Sequence, residues 1–308
     1  MPSERSPGQG GRTLAVAALQ SAPVVGDPEA TLRAFTEQVR DVAATFPFVR
    51  LLIAPELLLE AEPPFPRTAT AREPSPIPGE ATGRLGRLAR ETGLWLLPGT
   101  LYEAGEDGRV YNTAPVFSPD GEIAARYRKV FPWRPFEAAA EGSEFVVFDI
   151  PGAARIGLAI CFDGHFPETY RQLAWMGAEV VVQPTLTPTR DRTQELVVAR
   201  ANAIVNQLYA VNVNGAAPTG AGESMVIDPE GLVRRQAGAH QEVLVDVLDI
   251  DAVRRTRTYG TAGVSRPLVL LAERDRPVPL PAYGGALSAP PWARDHLDHP
   301  RHGAEERP

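Results

Sequence analysis

The amino-acid sequence predicts a layered α/β or α+β domain in which mixed sheets carry helices on their outer faces. Three observations carry that expectation. Short apolar strand segments alternate with helical segments through the middle of the chain. Several neighbouring strands are joined by hairpin turns too short for a crossover. Strands such as Val180-Val-Val182 are apolar at consecutive positions, the pattern of burial on both faces.

In chain order, Thr13-Leu-Ala-Val-Ala-Ala-Leu-Gln20 is the first strand. Asp27 then supplies a helix cap and Pro28 a favoured first helical position, so a helix runs to about Thr45. Val49 to Ala54 is a second apolar strand, ending at Pro55-Glu56. A helix over Glu80–Glu91 stops at Gly93, and strands follow at about 94–100, 110–118 and 122–128, the last after the turn Pro119-Asp-Gly121. Strands at 145–150 and 155–160 flank the turn Pro151-Gly152. A helix over 167–177 closes at Gly177, a strand covers 179–184 and a long helix covers 190–206. Strands near 208–213, 223–228, 232–236 and 242–248 complete the body. Residues 12–276 thus read as one domain. Residues 1–11 read as a disordered N-terminal tail, and 277–308 as a Pro-, His- and Arg-rich C-terminal tail. The Pro-rich stretch 62–78 reads as a long loop, of the kind that contributes to substrate selection.

Composition narrows the function. The 308 residues are 44% hydrophobic and 22% charged, which is the balance of a globular chain. A net charge of −7 disfavours a nucleic-acid partner. No apolar run approaches the roughly 20 residues that a membrane helix needs, and the first residues lack a secretory signal, so a cytoplasmic protein without a membrane partner is expected. One cysteine excludes an intrachain disulfide framework and any cysteine-rich metal cluster. The run His296-Leu-Asp-His-Pro-Arg-His302 is either a metal ligand set or a solvated tail. Without Cys or carboxylate support the tail is the expectation, and no metal is expected.

Cys161 closes a strand and precedes Phe162-Asp-Gly-His-Phe-Pro-Glu168, a sharp turn into a helix. A thiol there is held on rigid backbone beside a helix N-terminus, which would lower its pKa. It is either a nucleophile or a buried filler. His165 is the nearest histidine but lacks an orienting partner, so a base is better sought among carboxylates. Glu56 stands between a buried-looking strand and Leu57-Leu-Leu59, either as a base strengthened by burial or as a salt-bridged strand end. Lys129, in Tyr127-Arg-Lys-Val-Phe-Pro-Trp133, either stabilises an oxyanion or snorkels to the surface.

These segments, in this order, resemble the carbon–nitrogen hydrolase (nitrilase) superfamily. Ala54-Pro-Glu56-Leu is similar to its glutamate motif. Asn112, Pro119-Asp-Gly121 and Tyr127-Arg-Lys129 are similar to its lysine motif, and Gly157 to Glu168 is similar to its cysteine motif. The resemblance spans about residues 13–250 and implies a four-layer αββα sandwich, assembled as a homodimer or higher homo-oligomer. It implies a Glu56–Lys129–Cys161 triad acting without a cofactor, and Glu137 as a second glutamate that positions Lys129. Glu56 would be the base, Lys129 and the Phe162 N–H the oxyanion donors, and Cys161 the nucleophile. Cys161-Phe-Asp163 and Lys129 to Glu137 place the chain closest to the aliphatic amidase and formamidase branch. There Trp133 either lines the acyl pocket or packs ordinarily. The expected partners are a small-molecule amide and water, with ammonia released from a Cys thioester. The rivals are an N-carbamoyl amino acid amidohydrolase or ureidopropionase, using Arg134, Arg190 or Arg192 to bind a substrate carboxylate, an acyltransferase on the same fold, and a catalytically silent scaffold.

Overall fold

The computed structural model describes residues 11–61, 73–134, 136–287 and 290–292. The first strand, β1 (Thr13–Gln20), leads through a loop to helix α1 (Pro28–Thr45). The Asp27 carboxylate caps it by accepting from Ala30 N–H at 2.8 Å, and Leu32, Phe35, Val39 and Val42 form its buried stripe at spacings of three and four. Strand β2 (Leu51–Ile53) lies parallel to β1, followed by α2 (Glu80–Thr92), β3 (Trp95–Leu97), β4 (Leu101–Ala104), β5 (Val110–Phe117) and β6 (Ile123–Arg128). With β13 (Glu242–Asp249) these make a seven-stranded sheet of order β13-β1-β2-β3-β5-β4, β6 also pairing with β5.

The second sheet has six strands: β7 (Val147–Ile150), β8 (Ala154–Leu158), β9 (Val180–Thr185), β10 (Tyr209–Asn214), β11 (Met225–Ile227) and β12 (Val233–Gln236), ordered β12-β11-β10-β9-β8-β7. Helices α3 (Pro167–Trp175) and α4 (Arg192–Asn206) supply the crossovers that make β8, β9 and β10 parallel.

Period-two side-chain alternation sorts the apolar residues into layers. Leu14, Val16 and Ala18 of β1 face Ile156, Leu158, Val180 and Val182 of the second sheet, while Ala17 and Leu19 face α1. On the far side, Val181 and Ala210 pack against Leu173 of α3 and Ala199 of α4. The order is helix, sheet, sheet, helix: the four-layer αββα sandwich implied by the resemblance.

Three local expectations are corrected. The strand expected over 94–100 runs only from Trp95 to Leu97, and a further strand that was not expected, β4, begins at Leu101 just after Gly99. Its φ is +87°, and a Cβ there would stand 1.7 Å from the Pro55 carbonyl oxygen, so only glycine lets the chain pass Pro55-Glu56. Helix α5 (Ile250–Tyr259) and the short α6 (Pro267–Leu270) were not expected. The buried side of α5 includes Thr256, Arg257 and Thr258 beside Ile250 and Val253, so its apolar period is weak. The C-terminal segment, set apart from 277 by composition, carries a hairpin of β14 (Val278–Leu280) and β15 (Gly285–Leu287). Trp292 donates its Nε1–H to the Ala174 carbonyl and stacks under Arg257. Residues 1–10 of the N-terminal tail, 62–72 of the Pro-rich loop and the His296–His302 run lie outside the described residues. Among the described residues no helix is long and apolar enough to cross a membrane, and no three His, Cys, Asp or Glu are grouped to hold a metal ion.

Candidate active site

Glu56, Lys129 and Cys161 each follow the C-terminal end of a strand, β2, β6 and β8 respectively, and the sandwich brings these ends together. Loops at such ends are the usual location of sites in open α/β sheets. Cys161 opens a 3₁₀ turn, Cys161–His165, with φ +44°. A left-handed conformation at a residue with a Cβ costs of order 1–2 kcal/mol. It is held by the turn around it: Gln183 donates its amide to the Cys161 carbonyl at 2.7 Å. Leu57, next to Glu56, is also left-handed at φ +53°, its N–H donating to Thr100 Oγ1 at 3.1 Å.

The buried charges form one cluster. The Lys129 ammonium, 1% exposed, donates to Glu56 Oε1 at 2.8 Å and to Glu137 Oε2 at 2.6 Å. Burial works against the charged amine, but Glu137 and Glu56 overcome it and hold the pKa of Lys129 well above its ordinary value. Burial likewise opposes ionisation of Glu137. Lys129, the Trp133 N–H at 3.0 Å and Asn112 outweigh it, and its pKa is lowered. Asn112 bridges the two acids, its Nδ2 donating to Glu56 Oε1 at 2.8 Å and Glu137 Oε1 at 2.7 Å. Two atoms are left open. Glu56 Oε2 is buried without a hydrogen bond, and the third Lys129 N–H has no acceptor among the described residues.

The thiol departs from expectation. The helix-terminus argument would lower its pKa, whereas burial and the nearby Glu56 push Cys161 up to about 12, against the opposing pull of Lys129. The resting group is a thiol. Glu56 is paired with the lysine and keeps Oε2 without a hydrogen bond, and the buried Lys129 does not snorkel to the surface.

A family model for the carbon–nitrogen hydrolases matches residues 15–258. The chain belongs to this family. As a carbon–nitrogen hydrolase it acts on carbon–nitrogen bonds other than peptide bonds, and its relatives point to amide hydrolysis. It is 30% identical over 197 residues to the omega-amidase NIT2 of Mus musculus, covering 59% of this chain and 71% of that one. It is 28% identical over 217 residues to a formamidase of Bacillus thuringiensis (strain Al Hakam), covering 68% of this chain and 65%, just under two thirds, of the formamidase. Among solved structures, Saccharomyces cerevisiae Nit3, a member of branch 10 of the nitrilase superfamily, superposes with a TM-score of 0.72 at 25% identity, over 80% of this chain and 93% of that one. A Nesterenkonia sp. AN1 amidase solved in complex with butyramide gives 0.67 at 25% identity, over 80% and 95%.

In this carbon–nitrogen hydrolase a narrow pocket opens above Cys161, lined by Trp133, Phe162, His165, Leu186, Thr187, Asp191 and Glu195. Trp133 and Phe162 thus share this pocket with the thiol. The His165 ring packs against Phe162 at 5.1 Å, and no hydrogen bond joins it to Cys161. Of the three arginines considered for a substrate carboxylate, Arg192 is buried against Glu195, Arg134 is paired with Glu141, and Arg190 is exposed and does not line the pocket.

Two acids in the site went unrecognised as sequence. Asp163 is fully buried: Oδ2 accepts from Tyr127 OH at 2.7 Å and Ile160 N–H at 2.9 Å, and Oδ1 accepts from Phe131 N–H at 2.8 Å. It ties the cysteine turn to the lysine loop, and burial raises its pKa to about 6. Glu195 lies on α4 behind the pocket. An acid at a helix position flanked by Gln194 and Leu196 gives no sign of burial, because the strands that receive it are remote in sequence.

Proposed function

We propose that this hydrolase is an amidase that cleaves the amide bond of a small molecule through a thioester on Cys161 and releases ammonia. The observation that carries the reading is the free Glu56 Oε2 in a cluster where Lys129 still has an N–H to give. Because the thiol is neutral at rest, its proton passes to Glu56 Oε2 as sulfur attacks the amide carbonyl. The new oxyanion is met by Lys129 and the Phe162 N–H. Glu56 then returns the proton to the departing nitrogen, ammonia leaves, and the thioester remains. Water enters, gives a proton to Glu56 and attacks the thioester; collapse expels the sulfur, which takes that proton back. Glu137 and Asn112 keep Lys129 and Glu56 in register throughout. The commitment of Arg134 and Arg192 to internal partners supports an uncharged amide over an N-carbamoyl amino acid.

Butyramide, the ligand of the Nesterenkonia amidase, is the first substrate to assay for ammonia. Intact-mass spectra of quenched turnover should show a butyryl adduct on the chain, absent from Cys161→Ala, which should release no ammonia. Substantial ammonia release by that folded variant would sink the mechanism. Acyl transfer to an added amine in preference to water would instead make it an acyltransferase.

A further inference from the structure

Beside the thiol lies a further buried carboxylate that the mechanism above does not use. Glu195 is 3% exposed, and all its contacts are short. Oε1 accepts from Thr185 Oγ1 at 2.9 Å and Asn212 Nδ2 at 3.1 Å. Oε2 accepts from Thr187 Oγ1 at 2.8 Å and lies 2.9 Å from an Arg192 guanidinium nitrogen. Arg192 also donates to the carbonyls of Gly222 and Glu223, so the pair is anchored on both sides. Burial disfavours the charge on Glu195, but Arg192, Asn212 and Thr187 outweigh it and lower its pKa. The group is a carboxylate.

The direction of each hydrogen bond then follows. An ionised carboxylate only accepts, so Thr185 and Thr187 each give it their single hydroxyl proton. Thr187 Oγ1 is left with lone pairs alone for its remaining neighbours. It lies 3.9 Å from Cys161 Sγ, and the only proton available to that contact is the thiol's own. Glu56 Oε2, the acceptor in the proposed mechanism, has no hydrogen bond.

We propose that Glu195 is a positioning residue acting through Thr187: by claiming the Thr187 hydroxyl proton it makes that oxygen an acceptor and holds the Cys161 S–H away from Glu56 until substrate fills the pocket. The inference rests on Cys161 being the nucleophile. Rotation about the Cβ–Sγ bond then releases the weak contact to Thr187 and delivers the proton to Glu56 as the sulfur attacks. Between turnovers the arrangement suppresses the thiolate, the form open to alkylation and oxidation. The charged and titratable groups around the thiol are Glu56 after β2, Lys129 after β6 with Glu137 against it, Asp163 and His165 on its own turn, Asp191, and Glu195 with Arg192 on α4. Lys129 favours the thiolate, while Glu56 and Glu195 oppose it.

The test is the rate of Cys161 alkylation by iodoacetamide between pH 7 and 11, followed by intact mass on the full chain. Glu195→Gln removes a like charge and supplies an amide N–H to Thr187, whose hydroxyl proton is then free to face sulfur. The rate–pH curve should move down by about one to three pH units, at least roughly tenfold faster at a fixed pH. Because Glu195→Gln also loosens Arg192, Thr187→Val is the deciding variant. It keeps the ion pair and shape but loses the acceptor, so alkylation should quicken about threefold, and Thr187→Ser should restore the wild-type curve. Wild-type curves in folded Glu195→Gln and Thr187→Val would overturn the proposal. Failure of the nucleophile reading shows separately, as amide turnover surviving in Cys161→Ala.

Discussion

Asp163→Asn probes the joint between the cysteine turn and the lysine loop, and its effect should change with pH. Asp163 receives three donors: Phe131 N–H, Tyr127 OH and Ile160 N–H. An amide keeps one oxygen for two of them and turns its own N–H₂ toward the third, leaving a buried donor unpaired at about 1–3 kcal/mol. The same change relieves a buried charge. Moving a carboxyl from 3.8 to about 6 corresponds to about 3 kcal/mol at 1.36 kcal/mol per pH unit. Because the folded pKa is raised, the folded state binds this proton more tightly than the unfolded one. Its contribution is therefore present at low pH and lost as pH rises through about 6. At pH 8 the relief and the lost bond offset, and the variant should match the wild type within about 2 kcal/mol. By pH 4.5 the wild type regains about 2 kcal/mol that the variant lacks. Urea unfolding at the two pH values, followed by tryptophan fluorescence, measures both differences. A variant-to-wild-type difference that is the same at pH 8 and pH 4.5 would refute the assignment of a raised pKa to this buried acid.

Two further substitutions test the placement of the other groups. Gly99→Ala places a methyl 1.7 Å from the Pro55 carbonyl at φ +87°, so it should cost about 3 kcal/mol or more and displace Glu56; an unchanged thermal midpoint would contradict the close approach. His165→Asn should retain most amidase activity, because the ring packs on Phe162 and is not bonded to Cys161. A kcat loss as large as that of Glu56→Gln would return the base to the histidine.

Much of the fold was legible because burial is written in local periodicity. The unbroken apolar run of β1 marks a strand buried on both faces, the three-and-four spacing of α1 names the face that packs, and Pro, Gly and Asp mark the ends. The joint of β3 and β4 was not legible. Whether Gly99 continues a strand or breaks it depends on Pro55, which approaches it only in the folded chain. In the site, Glu56, Lys129, Glu137 and Cys161 were visible because each sits in a recognisable local context. Asp163 and Glu195 were not, since their roles are defined by donors on other elements: Tyr127 and Phe131 for one, Thr185, Thr187 and Asn212 for the other. The sign of the thiol's pKa was misjudged for the same reason. The local turn argues for a lowered value, while the dominant influences are burial between the layers and Glu56, which follows β2 of the other sheet.

The ratio of charges in the cluster explains why a second glutamate accompanies the first. A lone Lys129–Glu56 pair would be neutral, with the ammonium committed to that one carboxylate. Glu137 at 2.6 Å takes the shorter of the two ammonium contacts, and Asn112 holds both acids at matched distances. Lys129 is thereby kept charged and fixed without closing off Glu56, whose second oxygen stays unpaired. If the proposed mechanism holds, Glu137 would act on the rate by preserving an imbalance: two carboxylates for one ammonium would leave one oxygen to take the thiol's proton, and a third N–H to meet the oxyanion.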